Sequence, residues 1–389
     1  MMFDWLIIGG GIQGCTAAVY LIKQKKVAIE NLAIIDPNEK PLSMWLHCTS
    51  TIEMPYLRSP SIHHLAPAHF DLEKFSKTAS GKPYAAFYKP YDRPGLKLFN
   101  NHCEHLFEET TLYNSWIQNR VVQLKKGNKN WQVVLKDGQQ LESKNVILAI
   151  GLSEHPYWPE WAVMAKENGA SISHVFDRER QVPETTKSLI IVGGGITAAH
   201  ASIKWSRHLP GNVTQISRHP LRVHQFDSDP GWLGPKLMRS FQAVSSYDKR
   251  RDMIRQARHR GSLPLDLKAK ISKQIKNGAL SFLRDEVVGL QINDSMNEVK
   301  LLSGDTVNSE HILLATGFHQ SPPGIEWLST TIEERKLRCA ACGYPILSNS
   351  LQWDEGLYAI GALSELEIGP VARNISGARR GIEKILQSI

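Results

Sequence analysis

Two glycine-rich runs carry the clearest chemistry in this sequence: Gly9-x-Gly11-x-x-Gly14 in "LIIGGGIQG" and Gly193-x-Gly195-x-x-Ala198 in "LIIVGGGITAA". Each follows an apolar, strand-like stretch and opens a helix-like one. In that setting the first glycine permits a tight turn and the second lets backbone approach a pyrophosphate. The third residue, Gly or Ala, lets helix and strand pack closely. Phosphates then lie at the helix N-terminus, where unpaired N–H groups and the helix dipole favour negative charge.

The strands after the two turns end differently. "NLAIIDP" ends in Asp36, 22 residues after Gly14, the acidic position that holds ribose hydroxyls. "NVTQISRH" instead carries Ser217-Arg218. A carboxylate there would repel a 2′-phosphate, whereas a guanidinium grips it through paired N–H bonds. The first turn therefore suits a nucleotide with a free ribose, and the second suits NADPH.

The elements that position these turns are legible as a repeat. "GQQLESKNVILAIG" at 138–151 and "GDTVNSEHILLATG" at 304–317 align without a gap. Each is preceded by strand-like residues, "WQVVLKD" and "EVKLLS", which predicts a hairpin through Asp137-Gly138 and another near Gly304. Each then runs into an apolar strand and an Ala-x-Gly turn. Two dinucleotide-binding units, each closed by its own hairpin and terminal strand, account for this pattern.

Composition sets the bounds. The chain has 389 residues, 42% of them hydrophobic and 22% charged, enough for two or three domains with buried cores and against disorder. An apolar strand begins by Phe3 with no basic region before it, so no secretory signal is expected. No apolar run reaches the roughly 18 residues of a spanning helix. Five scattered cysteines fit free thiols in a reducing cytoplasm. The net charge of +8 is concentrated between Lys236 and Lys276 and reads as a solvated basic helical region, so neither nucleic acid nor membrane is expected as a partner.

The chain resembles the flavoproteins with two dinucleotide-binding domains, and among them the flavin-dependent monooxygenases that include the lysine and ornithine N-hydroxylases. The carriers are the two glycine turns, the linker "AIGLSEHPYWP" with Pro156 and Pro159, and "LLATGF" at 313–318. "WLHCTSTIEMPYLRSPSIHH", from Trp45 to His64, is similar to the family's flavin-embracing segment. The final "GLYAIGALSELEIGPVARNISGARRGIEKIL" has the shape of a last flavin-domain strand running into a helix whose N-terminus meets the flavin ring.

The resemblance implies an α/β fold of two Rossmann-like domains, the second inserted into the first. The FAD domain would be discontinuous, 1–155 plus 318–389, and the NADPH domain would span 183–317 with a helical insertion at about 226–277. It also implies FAD near Trp45, Met54, Gly361, Pro370 and Asn374, beside Gly9, Gly11, Gly14 and Asp36. NADPH would lie near Gly193, Gly195, Ala198, Ser217 and Arg218. The expected activity is NADPH-dependent oxidation of a small molecule, most simply monooxygenation of an amine, sulfide or similar nucleophile with dioxygen.

Because such cofactors carry the redox chemistry, no catalytic triad is required. The candidates for lining the reaction site are His63, His64 and Arg58, with His47 a weaker one; each histidine has an alternative as an ordinary buried polar residue. Cys339 and Cys342 form a Cys-x-x-Cys that raises a disulfide or quinone reductase as an alternative. Two clustered cysteines are too few for a zinc site, so no metal is expected. A nucleotide sensor without turnover is a third reading, and homo-oligomerisation stays open. The 226–277 stretch is either a cap on the substrate site or a peripheral helical pair with a basic face.

Overall fold

The structure, a computed structural model, describes residues 2–179, 181–293 and 296–389. Residues 1, 180 and 294–295, in or beside the expected units, lie outside the described residues.

The chain builds two large sheets, one mixed with a parallel centre and one wholly parallel. The first runs in the order Gln352–Asp354, Leu357–Ala359, Gln140–Leu148, Met2–Ile8, Leu32–Asp36, Trp116–Gln118. Ile7 pairs with Ile34 on one side and Ile147 on the other. These strands read as near-continuous apolar runs because helices cover both faces. The small residues Gly14, Cys15, Ala17 and Ala18 of helix Ile12–Lys23 are buried, which lets that helix lie close to the sheet. The C-terminal helix Ile375–Leu386 packs beside it through Ala378, Ile382 and Ile385. The last strand, Leu357–Ala359, lies parallel to Gln140–Leu148, so the end of the chain completes the sheet that its start began.

The second sheet has the order Ser281–Arg284, Val213–Ser217, Leu189–Val192, His311–Leu314, Ile172–His174, all parallel. It begins earlier than the boundary at 183 read from the sequence. Ile172 pairs with Ile312, and Ala162 and Ala165 of helix Glu160–Glu167 pack into the same core. A three-residue strand is too short to show a period of its own.

Both expected hairpins form. Trp131–Leu135 pairs antiparallel with Gln140–Leu148, and Met296–Leu301 pairs antiparallel with Thr306–Ser309. The two copies differ in one respect. Gln140–Leu148 runs unbroken from hairpin into parallel sheet, whereas its counterpart stops at Ser309 and restarts at His311 in another sheet. The two crossings between the sheets lie side by side, with Tyr157 N donating to Gly317 O at 2.8 Å and His319 N to His155 O at 2.9 Å.

The basic insertion is not peripheral. Helix Leu265–Lys276 packs Leu267 and Ile271 against Ala198 and Ala199 of the second unit. Helices Pro235–Ala243 and Tyr247–Ala257 instead bury Met238, Phe241 and Ile254 in the core of the first unit, with Leu366 and Ile368. Its apolar positions thus bind it to both units, while Arg250 and Arg251 pair with carboxylates of the segment Glu365–Ile368.

Candidate active site

The two glycine turns are built alike, hydrogen bond by hydrogen bond. Gly9 N donates to Ile35 O at 2.9 Å and Ala149 N to Ile8 O at 2.8 Å; in the second copy Gly193 N donates to Ile216 O and Ala315 N to Val192 O, both at 2.9 Å. Gly9 (φ 108°) and Gly193 (φ 153°) take backbone angles that side chains rarely adopt. A Cβ on them would come within 2.6 Å of Ala149 O and 2.5 Å of Ala315 O. This is why the Ala-x-Gly segment recurs: its alanine carbonyl lies against the first glycine of each turn. Gly14 serves close packing, since a Cβ there would lie 1.8 Å from Gly9 O.

Gly11 differs from these. It caps helix Ile12–Lys23 without any side-chain hydrogen bond, and a Cβ built on it meets nothing within 4 Å. The open cradle, beside the uncapped N–H groups of the helix, fits a pyrophosphate. A second uncapped helix start, at Asn374, is held next to it: Gln13 Nε2 donates to Ala372 O and Asn374 O, each at 3.2 Å. Gln13 Oε1 is buried with no partner among the described residues, an acceptor available to a bound group. Gly361 (φ 67°) stands where a Cβ would come within 2.9 Å of Gln13. These features fit FAD at the first turn.

Asp36 sits at the end of its strand. Its carboxylate accepts from Gly10 N at 2.7 Å and from Asn38 N and Nδ2 at 2.9 and 2.7 Å, so it fixes the turn. Trp45 packs on Phe99 and donates from Nε1 to Asn100 Oδ1 at 2.9 Å. Met54 touches the cores of both units. Pro370 is buried, and its carbonyl accepts from Arg258.

At the second turn, Gly195 caps helix Ile196–His208, again with no side-chain bond, and Gly261 Cα of the insertion stands 3.5 Å from where its Cβ would be. Ala198 is buried in helix packing. Ser217 is buried and donates to His219 O at 2.9 Å, so its hydroxyl shapes the turn. Arg218 is 74% exposed at the side chain, with Glu286 3.7 Å away. That leaves its guanidinium accessible to a phosphate.

The histidine candidates separate. His64 is completely enclosed; Nε2 bonds His69 O at 3.0 Å, Nδ1 accepts from Ala66 N at 3.2 Å, and burial pushes its pKa down to about 3. Both of its ring nitrogens are thus partnered within the protein. His63 is half-buried, and burial together with Arg379 pushes its pKa down to about 4. Arg58 reaches across to the insertion, donating to Gln225 O at 2.9 Å, His224 O at 2.7 Å and Ser262 Oγ at 2.9 Å. It positions that loop. His47 leaves Nε2 buried and unpartnered among the described residues.

Sequence reasoning missed the most highly charged part of the site. Glu365, fully buried, receives Arg251, Arg258 and Arg373 at 2.6–2.9 Å. Arg250 ties Leu366 O and Glu367 at 2.9 and 3.0 Å. These contacts fasten the insertion to the segment between Gly361 and Asn374. The available signal was the density of arginines in 250–260 opposite "SELE".

Cys339 and Cys342 flank a tight turn in which Gly343 N donates to Ala340 O at 2.8 Å; both are free thiols, and burial raises the Cys339 pKa. Among the described residues no helix is long and apolar enough to cross a membrane, and no group of three or more His, Cys, Asp or Glu is placed to hold a metal ion.

Two linked Rossmann-like units with paired uncapped glycine turns define a two-dinucleotide-binding flavoprotein fold. The model of the pyridine nucleotide-disulphide oxidoreductase family matches residues 3–231, and the chain belongs to that family. It is 22% identical over 344 residues to a probable indole-3-pyruvate monooxygenase of Arabidopsis thaliana, covering 83% of this chain and 77% of the relative. An ornithine N-hydroxylase of Kutzneria sp. 744, solved with reduced FAD, NADP⁺ and L-ornithine, shares the fold with a TM-score of 0.79 at 15% identity, covering 100% of this chain and 99% of that one. The FAD-bound cadaverine monooxygenase of Erwinia amylovora gives 0.78 at 14% identity, covering 100% and 94%.

Proposed function

We propose that this protein is an NADPH-dependent, FAD-containing monooxygenase acting on a small amine, sulfide or similar nucleophile. The observation that carries this reading is the pair of equivalent glycine turns in one chain, one followed by Asp36 and the other by the exposed Arg218. The similarity to monooxygenases across nearly the whole chain supports it.

A bound flavin supplies hydride acceptance from NADPH and reaction with dioxygen. The protein's own residues do the rest. Gly11 and the two uncapped helix starts hold the anionic and polar parts of the first nucleotide. Gln13 fixes those starts together, and Asp36 takes the ribose. Arg218 selects the phosphorylated second nucleotide. The insertion packs into the cores of both units, the kind of docking that shielding from water requires wherever reduced flavin must meet substrate before solvent.

The free cysteines fit a reducing, cytoplasmic setting. A thiol-exchange route finds little support in a Cys339 thiol that burial holds protonated. The test is coupled turnover: NADPH and dioxygen consumed together in equal amounts, with an oxygenated amine or sulfide formed. NADPH oxidation that continues unchanged without oxygen, through an added disulfide, would reject the reading.

A further inference from the structure

We propose that the arginines gathered around Glu365 bind a carboxylate on the substrate, so that the nucleophile oxidised here is also an acid. The inference rests on the monooxygenase reading and names the substrate class of that site.

Arg251 Nη1 lies 2.7 Å from Glu365 Oε2, Arg258 Nη2 2.9 Å from Oε1, and Arg373 Nε 2.6 Å from Oε1. Arg260, an exposed residue held by Gln320, feels the charges of Glu365 and Arg373. The charge of the next carboxylate, Asp227, favours the cationic form of both Arg258 and Arg58. Three guanidinium groups therefore close on one fully buried carboxylate, Glu365. Unpaired buried charge is costly, and a surplus of this kind calls for a counter-ion. Arg251, more than nine-tenths buried, stacks 4.0 Å over the Tyr344 ring, and its Nε and Nη2 find no nitrogen or oxygen acceptor among the described residues. Burial lowers the Arg258 pKa even with Glu365 beside it.

The cluster adjoins the helix start proposed to face the flavin. Arg258 donates to Pro370 O at 2.9 Å, and Asn374 Nδ2 donates to Asp227 at 3.2 Å, placing it against the helix start tied to the first glycine turn. Its other wall is the end of the "LLATGF" segment. Arg260 donates to Gln320 Oε1 at 2.8 Å, Tyr344 OH to Gln320 O at 3.1 Å, and Arg373 to Tyr344 OH at 3.0 Å. The nucleotide phosphates have partners elsewhere, at Gly11, Gly195 and Arg218. A substrate carboxylate is the anion that remains, and charge-assisted bonds from these guanidinium groups would orient it.

The FAD-loaded protein is titrated with matched pairs: phenylacetate and phenylacetamide, 5-aminopentanoate and 5-aminopentanamide, 3-(methylthio)propanoate and its amide. Binding is read from the flavin visible spectrum and, separately, from thermal melting. Each acid is expected to bind roughly tenfold or more tightly than its amide. Arg373→Gln and Arg260→Gln should remove that preference, and Arg373→Lys should retain part of it; Arg260 is exposed, so its variant does not depend on repacking the buried pairs. Equal affinity for acid and amide, or no binding by any acid, overturns the proposal. So does a loss of NADP⁺ affinity in Arg373→Gln as large as the loss for acids, which would assign the cluster to the nucleotide. Melting reports acid binding whether or not NADPH reduces the flavin, so failure of the redox reading is seen in the reduction assay alone.

Discussion

Gln13 and Asn374, 361 residues apart, meet side chain to backbone: the Gln13 amide nitrogen donates to Asn374 O at 3.2 Å. The contact joins the first turn of the first helix to the start of the last, so two helix starts without side-chain caps lie side by side. Gln13→Ala removes both of its bonds and its buried Oε1. The expected cost is about 1–2 kcal/mol, read as roughly tenfold faster FAD loss in dilution experiments with the fold intact by circular dichroism. Unchanged FAD retention would show that the two helix starts do not cooperate in holding the cofactor.

Gly11 and Gly14 are both glycines of one motif, yet their substitutions should fail differently. Gly14→Ala drives a methyl to 1.8 Å from Gly9 O and should destabilise by about 3 kcal/mol or more. Gly11→Ala meets no protein atom within 4 Å, so the chain should fold with a melting temperature close to that of the parent while FAD affinity falls at least about tenfold. Equal effects on folding would contradict the assignment of Gly11 to the pyrophosphate.

Arg218→Ala should raise the KM for NADPH by roughly ten- to a hundredfold, the worth of a charge-assisted contact, and leave that for NADH nearly unchanged. Steady-state kinetics with both nucleotides checks this. An undiminished preference for NADPH would place the 2′-phosphate elsewhere.

Buried histidines should make the fold acid-sensitive. Burial pushes His64 down to about 3 and His174, His200 and His311 to about 4, against an unfolded value of about 6.5. Between those values the unfolded chain binds protons that the native chain refuses, so stability falls as pH falls. Each histidine contributes at most about 1.4 kcal/mol per pH unit in that window. The melting temperature should therefore be lower at about pH 5 than at about pH 7.5, by several degrees. A flat profile would mean that these rings are accessible in the native state.

The parts legible in the sequence are those whose physics is local. A glycine turn, its strand, its helix and the acid or arginine beyond them lie within about 25–30 residues, the span of one βαβ unit, and both copies fold as their spacing demands. The repeat that predicted two hairpins reflects the same local rules, though the break at Glu310 had no mark in it. His64 stood beside Arg58 in a segment read as lining the flavin, and nothing local revealed that His69 and Ala66 enclose it. The insertion read as a solvated basic helix pair because Arg250, Arg251 and Arg258 find their partners more than a hundred residues away, at Glu365, Glu367 and Pro370. Pairings of that range are set by tertiary packing, which no local spacing encodes.

The central claim is that electrons pass from a nucleotide at the second turn to a flavin at the first. Mixing the FAD-loaded protein with NADPH in an anaerobic stopped-flow instrument tests it directly. Rapid bleaching of the oxidised flavin's visible band is expected, much slower with NADH, and the band should return on admitting oxygen. A flavin band that stays oxidised in the presence of NADPH would contradict the claim.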